Sequence, residues 1–325
     1  MKERATIQLL PGGRRLHLND GPIDLIIGAD GAPARMRCAY QAALDRFVTI
    51  LDELSSELSL LRSRVTSNAP LPTGSIARSM TEAVLPYGHR CFITPMAAVA
   101  GAVAEAVLAA MTNAIDLSRA YVNNGGDIAL HLAATESYTI GIVEGPESPS
   151  PFASAKVASA TPIRGIATSG WRGRSFSLGI ADAVTVLART ASEADAAATI
   201  IANAVNLPDH PAVFRVPARE IAPDSDLLDL PVTRGVGPLS FEEVSEALAA
   251  GATLAEELRA RGLIDSAALR LRGQLRIVSP ARDRFIEPPP ADERAVALGE
   301  RSRAIPTEAR NLLLSPVKEP RQCPK

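Results

Sequence analysis

Aromatic residues make up only 4% of the 325 residues, with a single Trp, so the core has to be built from aliphatic side chains and alanine. Excess charge of one sign is also missing. Thirty-four Lys and Arg stand against 36 Asp and Glu, a formal net charge of −2, and no positive field exists to support generic nucleic-acid or anionic-membrane binding. A small-molecule or protein partner is expected instead. The three cysteines, Cys38, Cys91 and Cys323, lie too far apart for a C-x-x-C pair, and reduced thiols in a cytoplasm are expected. No second ligand at metal spacing accompanies His17, His89, His131 or His210. A G-x-S-x-G elbow, an H-E-x-x-H pair, a Walker A loop and a G-x-G-x-x-G fingerprint are all absent, which removes serine-hydrolase, zincin and P-loop chemistry. The apolar stretch before Pro11 is too brief for a signal peptide. The run from Met96 to Met111 is broken by Glu105 and is shorter than the roughly 20 residues a bilayer requires. Both point to a cytoplasmic protein with no membrane partner.

What is present suffices for a large core: 46% of residues are hydrophobic and the mean hydropathy is +0.09. Residues 1–280 are expected to form one α+β unit, and 281–325, with Pro288-Pro289-Pro290, a flexible tail. Apolar runs at Leu16 to Leu18 and Ile23 to Ile27 around Asp20-Gly21-Pro22 predict two strands and a turn. Between Met36 and Leu61 the spacing of Ala39, Ala43, Phe47, Ile50, Leu54, Leu58 and Leu61 predicts a long amphipathic helix. A second helix, with Thr94 as cap and Pro95 at its first position, runs from Met96 to Asn113; apolar on nearly every side, it is expected to be buried. Strands are predicted at 121–122, 128–132, 138–143, 163–167 and 183–187, helices at 192–204 and 241–261, and a hairpin over 269–278. The proline-punctuated stretch 208–231 reads as a long connection.

Three segments carry candidate chemistry. Asn124-Gly125-Gly126-Asp127 places two residues without Cβ between strands, where a ligand could approach the backbone, and the same residues are what a tight hairpin turn needs. Thr168-Ser169-Gly170 follows a strand and precedes Arg172 and Arg174; hydroxyls, amides and guanidiniums suit a phosphate, and a solvated loop would look the same. On the helix beginning near Ser192, Asp195, Thr199 and Asn203 share one face in an alanine-rich surface. That row offers hard oxygen donors of the kind Mg²⁺ prefers, while Ser192-x-x-Asp195 also fits a capping box.

Taken in order, Asn-Gly-Gly-Asp-Ile at 124–128, Ala-Thr-Ser-Gly at 167–170, Val-Thr-Val-Leu-Ala at 184–188 and Ala-Asp-Ala-Ala-Ala-Thr at 194–199 resemble the ApbE superfamily of FAD:protein FMN transferases. Pro-Met-Ala-Ala-Val-Ala-Gly at 95–101 is similar to one ApbE-like branch, and the resemblance spans roughly residues 15–280. It implies a mixed α/β fold with a buried alanine-rich helix and a Mg²⁺ site made by Asp195, Thr199 and a backbone carbonyl at Ala98, within the Ala97 to Gly101 stretch. Asp195 is the implied catalytic residue. Asn124, Gly125, Gly126, Asp127, Thr168, Ser169 and Gly170 are the implied contacts to FAD or a related nucleotide or phosphorylated ligand, and an acceptor protein is the implied partner for transferred FMN. The family's lysine has no counterpart in Val99-Ala100-Gly101, and its His-Ile-Ile-Asp-Pro segment has none in 171–182.

Overall fold

Strand alternation and glycine turns build the frame. The structure, a computed structural model, describes residues 5–66, 70–143, 151–280 and 286–287. Nine strands form one sheet: β1 (Thr6–Leu9), β2 (Arg15–Asp20), β3 (Ile23–Asp30), β4 (Arg119–Asn124), β5 (Asp127–Leu132), β8 (Gly165–Ser169), β9 (Ala183–Ala188), β12 (Ser266–Leu271) and β13 (Gln274–Val278), in that spatial order. Every neighbouring pair is antiparallel. Between β5 and β13 in sequence lie β6 (Ser137–Ile142) and β7 (Ala153–Ala158); with β14 (Ile286–Glu287) they make a three-stranded sheet, and β10 (Val213–Pro217) pairs β11 (Pro231–Val236).

Helices α1 (Pro33–Ser56), α4 (Val99–Ala114), α5 (Ala191–Ala204) and α7 (Phe241–Ala260) cover one face of the large sheet, with α2 (Leu58–Leu61) and α3 (Ser75–Val84) joining α1 to α4 and α6 (Ala218–Ile221) beside β10. The small sheet packs its Ala153, Ala155 and Val157 over the centre of the opposite face, against Leu130, Ile166 and Leu187. Being covered on both sides, β9 reads Ala-Val-Thr-Val-Leu-Ala and is buried at all six positions, whereas the outer β2 alternates buried and partly exposed residues. The sheet divides into two halves of like order, strand pair, helices, strand pair: β2-β3 with α1 and α4 and then β4-β5, followed by β8-β9 with α5 and α7 and then β12-β13. The halves meet at β5 and β8, which share only two residue pairs, and at α4 and α5.

The α+β class expected from sequence is the class observed. The helices at 192–204 and 241–261 and the strands at 128–132 and 183–187 are present with ends shifted by a residue or so. The helix at 36–61 begins earlier, at Pro33, and breaks at Glu57, whose carboxylate leaves to accept from the Thr73 amide and hydroxyl and from the Gly74 amide, at the start of α3. α3 itself was not expected. Nor were β1, β7 or the β10-β11 pair inside the proline-rich connection. Ile286 and Glu287 form β14 within the stretch expected as a tail, with Ile286 buried; the other residues of 281–325 lie outside the described residues. Cys91 is free and half-buried.

The alanine-rich helix starts as a 3₁₀ turn over Pro95–Ala98 and continues as α4. Together these 20 residues are long and apolar enough to cross a membrane by length and composition. Their place explains that composition: α4 lies between α1 and α5 on the sheet, with Val103, Ala104, Val107 and Met111 fully buried and only Ala109 and Asn113 exposed. Burial is thus less complete than an all-round apolar surface suggests. Small residues allow the closest contact. A Cβ on Gly101 would stand 2.2 Å from the Ala191 carbonyl oxygen, and one on Gly165 would stand 2.0 Å from that of Thr190. Backbone, unlike a side-chain tip, cannot swing aside, so Gly101→Ala should destabilise the protein by about 1–3 kcal/mol, while Ala109→Ser on the exposed side should stay within about 0.5 kcal/mol. Urea unfolding of the two variants checks this.

Candidate functional site

Helix ends leave amides without partners, and here two helices supply them for each other. The Asp195 carboxylate, on α5, accepts from the Gly101 amide at 3.0 Å in the first turn of α4, and the Ala100 amide also bonds to it. Glu105, on α4, accepts from the Ser192 amide at 2.7 Å and its hydroxyl at 3.0 Å in the first turn of α5. Each acid also meets the positive end of the other helix. The capping box read at Ser192 and Asp195 is therefore not the one formed. The residue that caps α5 is Thr190, whose hydroxyl accepts from the Glu193 amide, and this frees Asp195 to cap α4.

The glycine turn lies beside this junction. Asn124 pairs with Asp127 across β4 and β5, leaving Gly125 and Gly126 as a two-residue hairpin loop with φ of +67° and +118°. Buried Asn124 donates from Nδ2 to the Ala100 carbonyl at 3.2 Å and accepts from the Asp24 amide at 3.4 Å, which ties turn, sheet and α4 together. Asp127 accepts from the Thr168 amide at 3.1 Å. A Cβ on Gly125 would sit 2.1 Å from Arg174 Nη2, so only glycine leaves room for that guanidinium; around Gly126 the space is open.

The two arginines of the loop after β8 separate here. Arg172 is bound to buried Asp182 at 2.7 Å, and Asp182 also accepts from Trp171 Nε1 and from the Arg272 amide. Arg174 lies over the turn, and its charge draws the Asp127 pKa downward. Strand alternation separates Thr168 from Ser169 as well. Thr168 shares the face of Ile166, toward the small sheet, where its hydroxyl bonds Thr185 at 2.8 Å; only its amide serves the cleft, and Ser169 alternates to the helix side. Gly170 packs on the backbone of 181–182. Along α5, Thr199 lies one turn beyond Asp195, and its hydroxyl makes no hydrogen bond among the described residues. Asn203, next in the row, uses Oδ1 to accept from the Leu178 amide and the Ser177 hydroxyl.

Asp127 and Asp195 share one electrostatic environment. Burial pushes the Asp127 carboxyl up to about 7, with the Thr168 amide and Arg174 opposing. Asp195 is pushed well above the ordinary carboxylate range, first by burial and then by the Asp127 charge, against the pull of the Gly101 and Ala100 amides. Glu105 is also raised by burial, opposed by Ser192. No cluster of three His, Cys, Asp or Glu occurs among the described residues, so a cation here would rest on the aspartates together with hydroxyl and carbonyl oxygens. Glu105 has a role that sequence reasoning did not assign, and its interruption of the alanine run was the visible signal; the tie from Asn124 to the Ala100 carbonyl was not foreseen either.

An antiparallel sheet with a helix layer on one face, and a group of carboxylates where its two halves meet, defines the class of protein. The chain belongs to the family described as AbpE bacteria, whose model matches residues 7–277. It is 33% identical over 217 residues to a UPF0280 protein of Methanopyrus kandleri, covering 64% of this chain and 82% of the relative. UPF0280 proteins of Methanothermobacter thermautotrophicus and Methanothrix thermoacetophila are 38% and 42% identical over 153 and 114 residues, which span 55% and 46% of those relatives and 47% and 35% of this chain.

The raised aspartate gives a pH dependence of defined sign. Between its unfolded value near 3.8 and about 7, Asp127 holds its proton in the native state and loses it on unfolding. Stability without added metal should therefore fall as pH rises through that window and level off above it. Asp127→Asn should flatten that slope, as read from melting temperature against pH in the presence of a chelator. An unchanged slope would remove Asp127 as its source.

Proposed function

We propose that this protein is a Mg²⁺-dependent enzyme acting on a flavin nucleotide or related phosphorylated ligand, with transfer of FMN from FAD to an acceptor hydroxyl as the most concrete form. The observation that carries the reading is the meeting of Asp195, Asp127 and the Gly125-Gly126 turn at the start of α4, residues separated by some 70 positions in sequence but joined through Ala100, Gly101 and Thr168. The donor set fits a hard cation. Two electrostatically coupled carboxyls, both raised by burial, would be drawn to their charged form by a cation, and an unpartnered hydroxyl stands one turn away; Asp195, Thr199 and the Ala98 carbonyl, at the break between the 3₁₀ turn and α4, would hold Mg²⁺. Such an ion, when bound, offsets charge building on phosphate oxygens.

The chain's own groups do the rest. The Gly101 and Ala100 amides fix the Asp195 carboxylate, so its orientation is set before any ligand arrives. Arg174, over an open glycine turn, is placed to pair with phosphate oxygens. Asp127, pushed up to about 7, is suited to take the proton of an attacking hydroxyl near neutrality. A second reading, a diverged ApbE-like enzyme of cofactor biosynthesis or a non-catalytic flavin- or nucleotide-binding protein, is favoured by one feature: Val99-Ala100-Gly101 carries no basic residue where the transferases have lysine.

Incubation with FAD and Mg²⁺ should release AMP. Asp195→Asn should weaken Mg²⁺ binding at least by the roughly 10–100-fold that loss of a metal-supporting group costs, yet stability should fall by only about 1 kcal/mol, because an amide oxygen still caps α4. Thr199→Val should lower metal affinity without a cap to lose. Calorimetry beside thermal unfolding separates the two effects. Unchanged metal affinity in both variants would overturn the metal reading; FAD binding without AMP release would move the choice to the second one.

A further inference from the structure

A cavity of about 270 Å³, with neither aspartate in its lining, lies between the far half of α5, the C-terminal half of α7 and the chain from Tyr87 to Phe92. Phe92, Ile200, Leu254 and Leu258 give it an apolar wall. Two polar groups on that wall have no protein partner among the described residues. Tyr87 is only 3% exposed, and its hydroxyl bonds nothing among the described residues. Asn203 has its Oδ1 taken by Ser177 and Leu178, which fixes the amide orientation and leaves Nδ2 without an acceptor. Neither Tyr87 Oη nor Asn203 Nδ2 is a fully buried orphan, so both open onto the cavity, and two donors on an otherwise apolar wall set the polar chemistry of what would sit there.

We infer that this cavity is a binding site for an uncharged, flat, fused-ring compound bearing a hydrogen-bond acceptor at its edge. The volume lies just under the ~300–1,000 Å³ of drug-sized sites, which suits a two-ring system and excludes a whole dinucleotide. Arg90, at the same wall, is already paired with Glu257 and adds no demand for an anionic ligand. Burial pushes the Tyr87 phenol well above its ordinary value, so its O–H remains a donor at neutral pH. The free thiol of Cys91 also lines the cavity and provides a reporter at the site.

Quinoline and naphthalene have nearly the same shape, and only quinoline carries a ring nitrogen that accepts. In the full-length protein, quinoline should slow alkylation of Cys91 by N-ethylmaleimide in a saturable way, followed by mass spectrometry of the Cys91 peptide. Naphthalene should protect roughly two- to tenfold less well, the range expected for one net hydrogen bond. Tyr87→Phe should bring quinoline to the level of naphthalene without changing naphthalene itself, and Leu254→Trp should abolish protection by both. No protection in the unmodified protein, or equal protection by the two rings with no response to Tyr87→Phe, would overturn the inference. Neither probe carries a phosphate or needs a metal, so the outcome is independent of the reading of the aspartate cleft.

Discussion

Two carboxylates exchanged between two helix starts hold this molecule together at its thinnest place. The sheet halves share only two residue pairs between β5 and β8, too few for backbone pairing alone to fix how the halves sit. Asp195 reaching into the start of α4 and Glu105 reaching into the start of α5 supply the missing constraint. The contact is possible only because Gly101 lets one backbone lie directly on the other. Charge, helix dipole and the absence of a single methyl group act here as one device.

The cost of the device is visible in its electrostatics. Carboxylates at helix starts are favoured by the amides they accept from, yet Asp195 and Glu105 are held above their ordinary pKa because burial outweighs those bonds. Asp127 adds a third acid to the same neighbourhood, with the Arg174 guanidinium opposing it. Gathering acids at the seam costs stability, which the site proposed above would account for.

Much of the frame was readable because its signals are local. Alternation in β2 and β3, the three-and-four spacing of α1 and the Asn-Gly-Gly-Asp turn each depend on residues a few positions apart, and each predicts the element found. Structures held by distant partners were not readable. α3 begins where Glu57 captures the amides of 73 and 74, and β10 and β11 form among prolines that sit at the ends of the pair, Pro217 opposite Pro231. The site shows the same division. Asp195 and Thr199 are visible as a helical row, but that Asp195 caps a different helix, that Thr168 turns its hydroxyl away and that Arg172 is spent on Asp182 follow only from which strands and helices become neighbours.

The two halves repeat the same order of elements, but the helix layer runs α1, α4, α5, α7, so the first helix of one half meets the second helix of the other only in the middle. The matching outer pair, α1 and α7, stands at opposite ends of an open sheet. One chain therefore builds one such cleft, and neither half owns it. A ligand that binds there recognises only the joined form, so it strengthens the seam by an amount that grows with its concentration over its Kd, and ligand occupancy and the integrity of the two-part fold are linked.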